Sequence, residues 1–469
     1  MKTEKYDLIV IGTGPGGYVA AIRAAQLGLK VGVVEKEAWG GICLNWGCIP
    51  TKALLKSAQV WEEIAQASEY GIQVKGSRVD LESMVKRSRN IAGGMNKGIE
   101  FLLKKNKISS FLGTGRWKGK ELVEVQTEKG KKQNLQSKHI LFATGARARA
   151  LPDFPIDGQH ILGYRDALAL SRQPKTLIVI GSGAIGMEFA YFYQALGTQV
   201  FVLEAANRIV PQEDEDVSAY VEKHFRKKGM IIHTGVKLEL IGADAKEACR
   251  VRVFTDKNPK GEILKGEKIL SAVGIVPNVE DLGLEEAGVQ LTQTGRIQVD
   301  NKYRTSVPGI YAIGDVIPGP ALAHVASAEA ICCVEHIAGQ NPEEIDYENI
   351  PSCTYTSPEI ASVGLSEAQA REKGYELRVG QFPFTASGKA KASGHPEGFV
   401  KIIYDKKYGE LLGAHLVGHH VTEMIAELCA AKKLETTGHE ILKTIHPHPT
   451  FSEAIMEATA HAYDEVIHL

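Results

Sequence analysis

The chain has 469 residues, 44% of them apolar and 24% charged, with 55 Lys and Arg against 56 Asp and Glu. That length holds about three domains at ~150 residues each, and the near-zero net charge gives no reason to expect nucleic acid or an anionic membrane as the main partner. No apolar run approaches the ~20 residues that span a bilayer, and seven cysteines, an odd number in a large chain, do not make a secreted disulfide framework.

Residues 1–5 lead directly into Leu8-Ile9-Val10-Ile11, too short a run for a signal-peptide core, so the start reads as that of a cytoplasmic protein. Residues 6–11 read as a buried strand. Gly12-Thr13-Gly14-Pro15-Gly16-Gly17 is a tight turn, residues 18–27 a helix, and residues 30–34 a second strand ending at Glu35. Gly12, Gly14 and Gly17 let the backbone approach a pyrophosphate on the helix N-terminus, and Glu35 is placed to accept hydrogen bonds from a ribose diol. One such pattern is weak, because its glycines can serve as ordinary turn and packing residues.

Next comes Gly40-Gly41-Ile42-Cys43-Leu44-Asn45-Trp46-Gly47-Cys48-Ile49-Pro50-Thr51-Lys52. The two cysteines precede a predicted helix, whose N-terminus would favour a thiolate. Taken alone, the pair leaves three readings open: zinc ligands, inert buried thiols or a redox couple. No second cysteine pair or Cys/His cluster of zinc-like spacing accompanies it, so no metal site is expected.

The dinucleotide pattern then repeats. Residues 176–180 are the strand, Gly181-Ser182-Gly183-Ala184-Ile185-Gly186 the turn, residues 187–196 the helix, and residues 199–203 a strand ending at Glu204. The first glycine and the acid are 23 residues apart in both copies. Two copies in full context point to a flavin and a nicotinamide cofactor used together, and beside such a flavin unit the redox reading of Cys43 and Cys48 is favoured. A carboxylate at Glu204 suits the free 2′-hydroxyl of NAD and repels the 2′-phosphate of NADP, although Arg208 lies nearby.

The C-terminal part alternates short strands (359–364, 399–404, 411–417) with helices (423–431, 453–466). It contains His446-Pro447-His448-Pro449-Thr450-Phe451-Ser452-Glu453. A carboxylate on one nitrogen of His448 would set its tautomer and raise the basicity of the other, half of a thiol-activating arrangement.

These motifs resemble the class I pyridine nucleotide-disulfide oxidoreductases, flavoproteins with two dinucleotide sites, and the resemblance runs nearly end to end. GGICLNWGCIPTK is similar to the family's redox signature, and HPHPTFSEA to its H-P-T-x-S-E motif. Ala143-Thr144-Gly145 resembles the turn where the chain leaves the FAD domain. Residues 305–315, TSVPGIYAIGD, resemble the second flavin motif, whose aspartate is Asp315. The resemblance implies FAD contacts at Gly115, Thr144, Gly145, Asp315 and Ala323, with His324 beside it, and NAD contacts at Val236 and Gly274. It implies that Lys52 lies near the flavin and pairs with Glu188. It implies that His448 and Glu453 reach across a twofold homodimer to the partner's disulfide, with His446 in a supporting role. The implied fold is α/β: two Rossmann-like dinucleotide-binding domains, for FAD and NAD, plus a C-terminal α+β dimerisation domain. The division expected is 1–147 for the FAD domain with the redox disulfide, 148–275 for the NAD domain, 276–346 completing the FAD site, and 347–469 for the interface domain.

Within the family, mercuric reductases and high-molecular-weight thioredoxin reductases need a C-terminal cysteine pair, and here the last cysteine is Cys429. Glutathione reductases usually place basic residues after the second unit's strand, where this chain has Glu204-Ala205-Ala206-Asn207, and soluble transhydrogenases lack the cysteine present here as Cys43. The dihydrolipoamide dehydrogenase branch fits best. It implies a lipoyl-bearing acyltransferase of a 2-oxoacid dehydrogenase complex, or a glycine-cleavage carrier, as partner. Trp46, usually a small or aliphatic position, and Gly274-Ile275-Val276-Pro277-Asn278, without the arginine often found after the glycine, depart from the pattern. A non-catalytic peripheral subunit and an NADH:quinone or oxygen reductase are the competing readings, and the set Cys43, Cys48, His448 and Glu453 argues against both.

Overall fold

The computed structural model describes residues 4–119, 121–242 and 248–469; residues 1–3, where the N-terminal reading begins, lie outside the described residues. The chain forms two compact units. One comprises Met1–Ala53, Glu82–Arg149 and Gly274–Ile345, the other Leu54–Leu81, Ala150–Val273 and Asp346–Leu469. Among the described residues no helix is long and apolar enough to cross a membrane.

The first unit is built on a seven-stranded sheet. Glu4–Ile11 lies at its centre, parallel to Val31–Glu35 on one side and to Lys132–Phe142 on the other, with Leu8 opposite Val31 and Ile9 opposite Ile140. Ser109–Leu112 and Ile310–Ala312 extend the parallel part, and Leu122–Gln126 and Thr114–Trp117 an antiparallel flank. Leu8, Ile9, Val10, Val33 and Leu141 are fully buried. Strands covered on both faces read as continuous apolar runs rather than alternating ones. The helix Pro15–Gln26 begins at Pro15, three residues before the sequence expectation, because proline at the first helical turn costs no hydrogen bond. Gly16 and Gly17 therefore lie inside the helix, which packs against Ala323–Ile337.

The second unit repeats this arrangement in a parallel sheet ordered Ile231–His233, Gln199–Leu203, Thr176–Ile180, Lys268–Ser271, Ile161–Leu162, with the helix Ala184–Ala195 after the central strand. Lys237–Gly242, Cys249–Thr255 and Asn258–Gly266 form a three-stranded antiparallel sheet. A separate five-stranded antiparallel sheet has the order Ser352–Thr354, Glu359–Gly364, Leu411–Gly418, Phe399–Asp405, Leu377–Pro383. The helices Val421–Lys433 and Glu453–Ala462 pack on it. The fold is thus α/β, two Rossmann-like halves and an α+β C-terminal part. The last helix ends at Ala462, four residues before the expected end: Asp464 turns to φ +60, and Glu465 N–H closes onto Ala460 O.

Candidate active site

The redox segment is pinned by polar side chains. Cys43 does not simply precede a helix. It sits on a short one of its own, Gly41–Asn45, and Cys48 opens the 18-residue helix Cys48–Ala65. The two are joined as a disulfide with Cα atoms 4.7 Å apart. Asn45 Nδ2 donates to Trp39 O and Gly41 O, both at 2.9 Å, and Thr51 Oγ1 donates to Gly47 O at 2.7 Å. The helix Leu81–Lys105 supplies the rest: Asn96 donates to Asn45 Oδ1, Arg89 to Asn45 O, and Ser88 to Pro50 O. Gly41 presses this segment against the first glycine turn; a Cβ there would lie 2.6 Å from Gly14 Cα. The sequence reading missed Asn45, Ser88, Arg89 and Asn96, because the last three come from a distant helix with no spacing signal.

The two glycine turns share the same backbone features. Gly12 and Gly181 adopt φ +96 and φ +95. A Cβ on Gly17 would lie 1.9 Å from Gly12 O, and one on Gly186 would lie 2.0 Å from Gly181 O, so helix and strand meet at glycine-only distance. A Cβ on Gly14 or Gly183 would meet nothing within 4 Å. Each of these two N-caps its helix without a side-chain bond, so no side chain caps the orphan N–H groups of the first turn. Glu35 accepts from Thr13 N and Oγ1 at 2.9 and 2.7 Å and from Glu37 N at 3.0 Å. Glu204 accepts from Ser182 N and Oγ at 2.8 and 2.7 Å and from Ala206 N at 2.8 Å. Each carboxylate is thereby aimed with acceptor capacity left over. Arg208 is bound to Glu215 and to the carbonyls of Pro211 and Glu213.

Around the first turn, Gly115 is buried on its strand. Thr144 and Asn278 bond each other through Oγ1 to O at 2.7 Å and Nδ2 to O at 2.9 Å, and Gly145 takes φ +66. Asp315 sits in the short turn Gly314–Val316, and its burial pushes its carboxyl up. Ala323 opens the helix Ala323–Ile337 without a side-chain cap. Val236 N–H bonds Glu204 O at 3.1 Å. Gly274, at φ +108, accepts from Arg149 N–H and begins the segment that pairs with Ala146–Ala148. Lys52 lies on the helix Cys48–Ala65, and buried Glu188 accepts Tyr355 N–H at 3.0 Å.

The histidine motif forms two carboxylate–imidazole pairs. His448 Nδ1 lies 2.8 Å from Glu453 Oε1, and Thr450 N–H binds Glu453 Oε2 at 2.7 Å. Partial burial works to raise the Glu453 carboxyl, but Thr450 N–H and His448 outweigh it and hold the group below its ordinary range. The His448 side chain is 80% exposed, with Nε2 left for chemistry. His446, only 5% exposed, lies 2.8 Å through Nε2 from Glu427 Oε1, which raises its pKa. Glu427 stands on the helix Val421–Lys433 and had no signal in the sequence.

Residues 6–330 match the family described as pyridine nucleotide-disulphide oxidoreductase, and residues 350–459 match that family's dimerisation domain. The chain belongs to this family. Members similar to this oxidoreductase include the dihydrolipoyl dehydrogenases of Zymomonas mobilis, 47% identical with 99% of each chain covered, and of Bacillus subtilis, 42% identical with 100% of each covered. The crystal structure of LpdA from Mycobacterium tuberculosis superposes with a TM-score of 0.90 at 27% identity, covering 97% of this chain and 99% of that one. The flavoprotein disulfide reductase RclA from Escherichia coli does so with a TM-score of 0.85 at 25% identity, covering 97% and 99%. Burial disfavours the thiolate at three of the five cysteines outside the disulfide, Cys332, Cys333 and Cys429. Cys249, Cys332 and Cys333 are buried, and burial pushes the thiols of Cys332, Cys333 and Cys429 up, Cys429 to about 11.

Proposed function

We propose that the chain is an FAD-dependent dihydrolipoyl dehydrogenase that oxidises protein-bound dihydrolipoamide with NAD. The observation that carries this is the Cys43–Cys48 disulfide at the head of a long helix, packed against the first glycine turn. The uncapped helix, the open space at Gly14 and the anchored Glu35 fit the ADP half of FAD, and Gly115, Thr144, Gly145, Asp315, Ala323 and Lys52 would hold the rest of the group. Gly181, Gly183, Gly186, Glu204 and Val236 fit NAD in the same way, and Arg208, engaged elsewhere, leaves Glu204 to disfavour a 2′-phosphate.

His448 Nε2 takes a proton from one dihydrolipoamide thiol. The thiolate attacks Cys43 Sγ, the Cys43–Cys48 bond breaks, and Cys48 leaves as a thiolate, which the helix N-terminus stabilises. The second substrate sulfur attacks the first; the lipoamide ring closes and Cys43 departs reduced. Glu453 holds the His448 tautomer and stabilises the imidazolium. FAD supplies the two-electron link between the dithiol and NAD. Lys52 would contribute positive charge to the flavin site, and the role of Glu188 implied by the family resemblance belongs to the same proposal. Exposure of the His448 ring supports its acting on the disulfide of a second subunit in a homodimer. The domain limits 1–147, 148–275, 276–346 and 347–469, a cytoplasmic location, and service to a 2-oxoacid dehydrogenase acyltransferase or a glycine-cleavage carrier belong to the same proposal. Purified protein is expected to be yellow and to reduce lipoamide, but not glutathione, with NADH. Reduction of glutathione instead would move the substrate elsewhere in the family.

A further inference from the structure

A lysine lies inside a strand that is buried along its whole length. Lys401, on Phe399–Asp405, has a side chain only 3% exposed, and its ammonium binds three carboxylates: Asp214 at 2.9 Å, Asp216 at 2.6 Å and Glu367 at 2.8 Å. A buried charge persists only where its partners are fixed around it. Here they fix one end of a loop. Asp214, itself 2% exposed, N-caps the helix Glu215–Lys227 and also accepts Glu367 N–H through its second oxygen.

From Asp214 the chain runs back ten residues to Glu204, through a series of bonds that leave little freedom. Glu213 N–H and Ser218 Oγ both donate to Val210 O. Val210, at φ +39, donates its N–H to Ser182 O at 3.2 Å. Ser182 in turn holds the Glu204 carboxylate with its N–H and hydroxyl. The loop is thus tied at one end to the second glycine turn and at the other to a cation supplied by the antiparallel sheet.

We propose that Lys401 is a positioning residue for the nicotinamide nucleotide: it clamps the loop 205–214 from the C-terminal sheet and so sets the aim of Glu204 at the adenosine ribose. This rests on the reading of Glu204 as an NAD ligand. Lys401 touches no reacting atom, and its removal acts on nucleotide binding and leaves the thiol chemistry alone.

The test uses the purified holoenzyme with Lys401→Met. KM for NAD and Kd for NADH are expected to rise roughly tenfold, while the rate of reduction by dihydrolipoamide with no NAD present stays within about twofold of wild type. Glu367→Gln, which loosens the clamp without stranding a buried charge, is expected to shift KM for NAD in the same direction by about two- to fivefold. It decides the matter if the methionine variant does not fold. Unchanged KM for NAD in a folded Lys401→Met enzyme and in Glu367→Gln would overturn the role. So would an equal loss of both half-reactions, the mark of a merely structural residue. A wild-type enzyme that binds neither NAD nor NADH would instead contradict the NAD reading itself, and the role with it.

Discussion

His448 Nδ1 stands 2.8 Å from Glu453 Oε1, and Thr450 N–H holds the other oxygen of that carboxylate, so the ring is oriented from its own chain while its face stays open. His448→Gln is expected to lower kcat/KM for dihydrolipoamide by roughly 10²–10⁴. Glu453→Gln should act in the same direction by less, since the base remains and only its tautomer and charge balance are lost. Stopped-flow reduction by dihydrolipoamide checks both. Because Glu453 is held below its ordinary range, the stability it contributes is fully present above that range. It is lost as pH falls through the depressed value. The Glu453→Gln variant should therefore lose less stability than wild type on acidification, read as Tm against pH.

Cys43→Ser and Cys48→Ser should each abolish lipoamide turnover while leaving flavin binding intact, because neither residue forms the glycine turn at Gly12–Gly17. Flavin absorbance alongside turnover assays checks this. Retained turnover in either variant would remove the disulfide from the mechanism.

The open space at Gly14 and Gly183 separates folding from binding. A methyl group at either position meets no atom within 4 Å beyond its own neighbours in the chain. Gly14→Ala and Gly183→Ala should thus alter stability by no more than about 0.5 kcal/mol. They should weaken FAD retention and NAD binding respectively, because the methyl group takes the room of a pyrophosphate. Gly17→Ala and Gly186→Ala, with backbone oxygens within 2.0 Å of the new carbon, should destabilise the fold by roughly 1–3 kcal/mol or more. Thermal melts and cofactor binding measured side by side distinguish the two pairs.

Glu204→Gln removes a charge while keeping the shape. Hydrogen bonds to charged groups contribute about 1.5–3 kcal/mol, so KM for NAD should rise roughly 10- to 100-fold and the preference over NADP should narrow. Steady-state kinetics with both nucleotides measures the ratio.

Much of this was legible in the sequence. The strands Thr176–Ile180, Gln199–Leu203 and Glu359–Gly364 have the limits their apolar runs and flanking glycines indicate. Glu35 and Glu204 announce themselves by equal spacing from the first glycine. What stayed hidden is tertiary. The short helix under Cys43 depends on Asn45 being satisfied by Asn96 and Arg89, which lie far along the chain. Glu427 meets His446 only because a helix and a loop converge. Lys401 reads as an unremarkable polar position until Asp214, Asp216 and Glu367 are folded around it.

The most direct test of the proposed chemistry is an absorbance titration of the purified protein with dihydrolipoamide, followed by NAD. A flavin spectrum that gains a long-wavelength thiolate-to-flavin band and returns to its starting form on adding NAD is the expected result. A flavin spectrum that ignores dihydrolipoamide yet responds to NADH would contradict it, keeping the fold and removing the substrate.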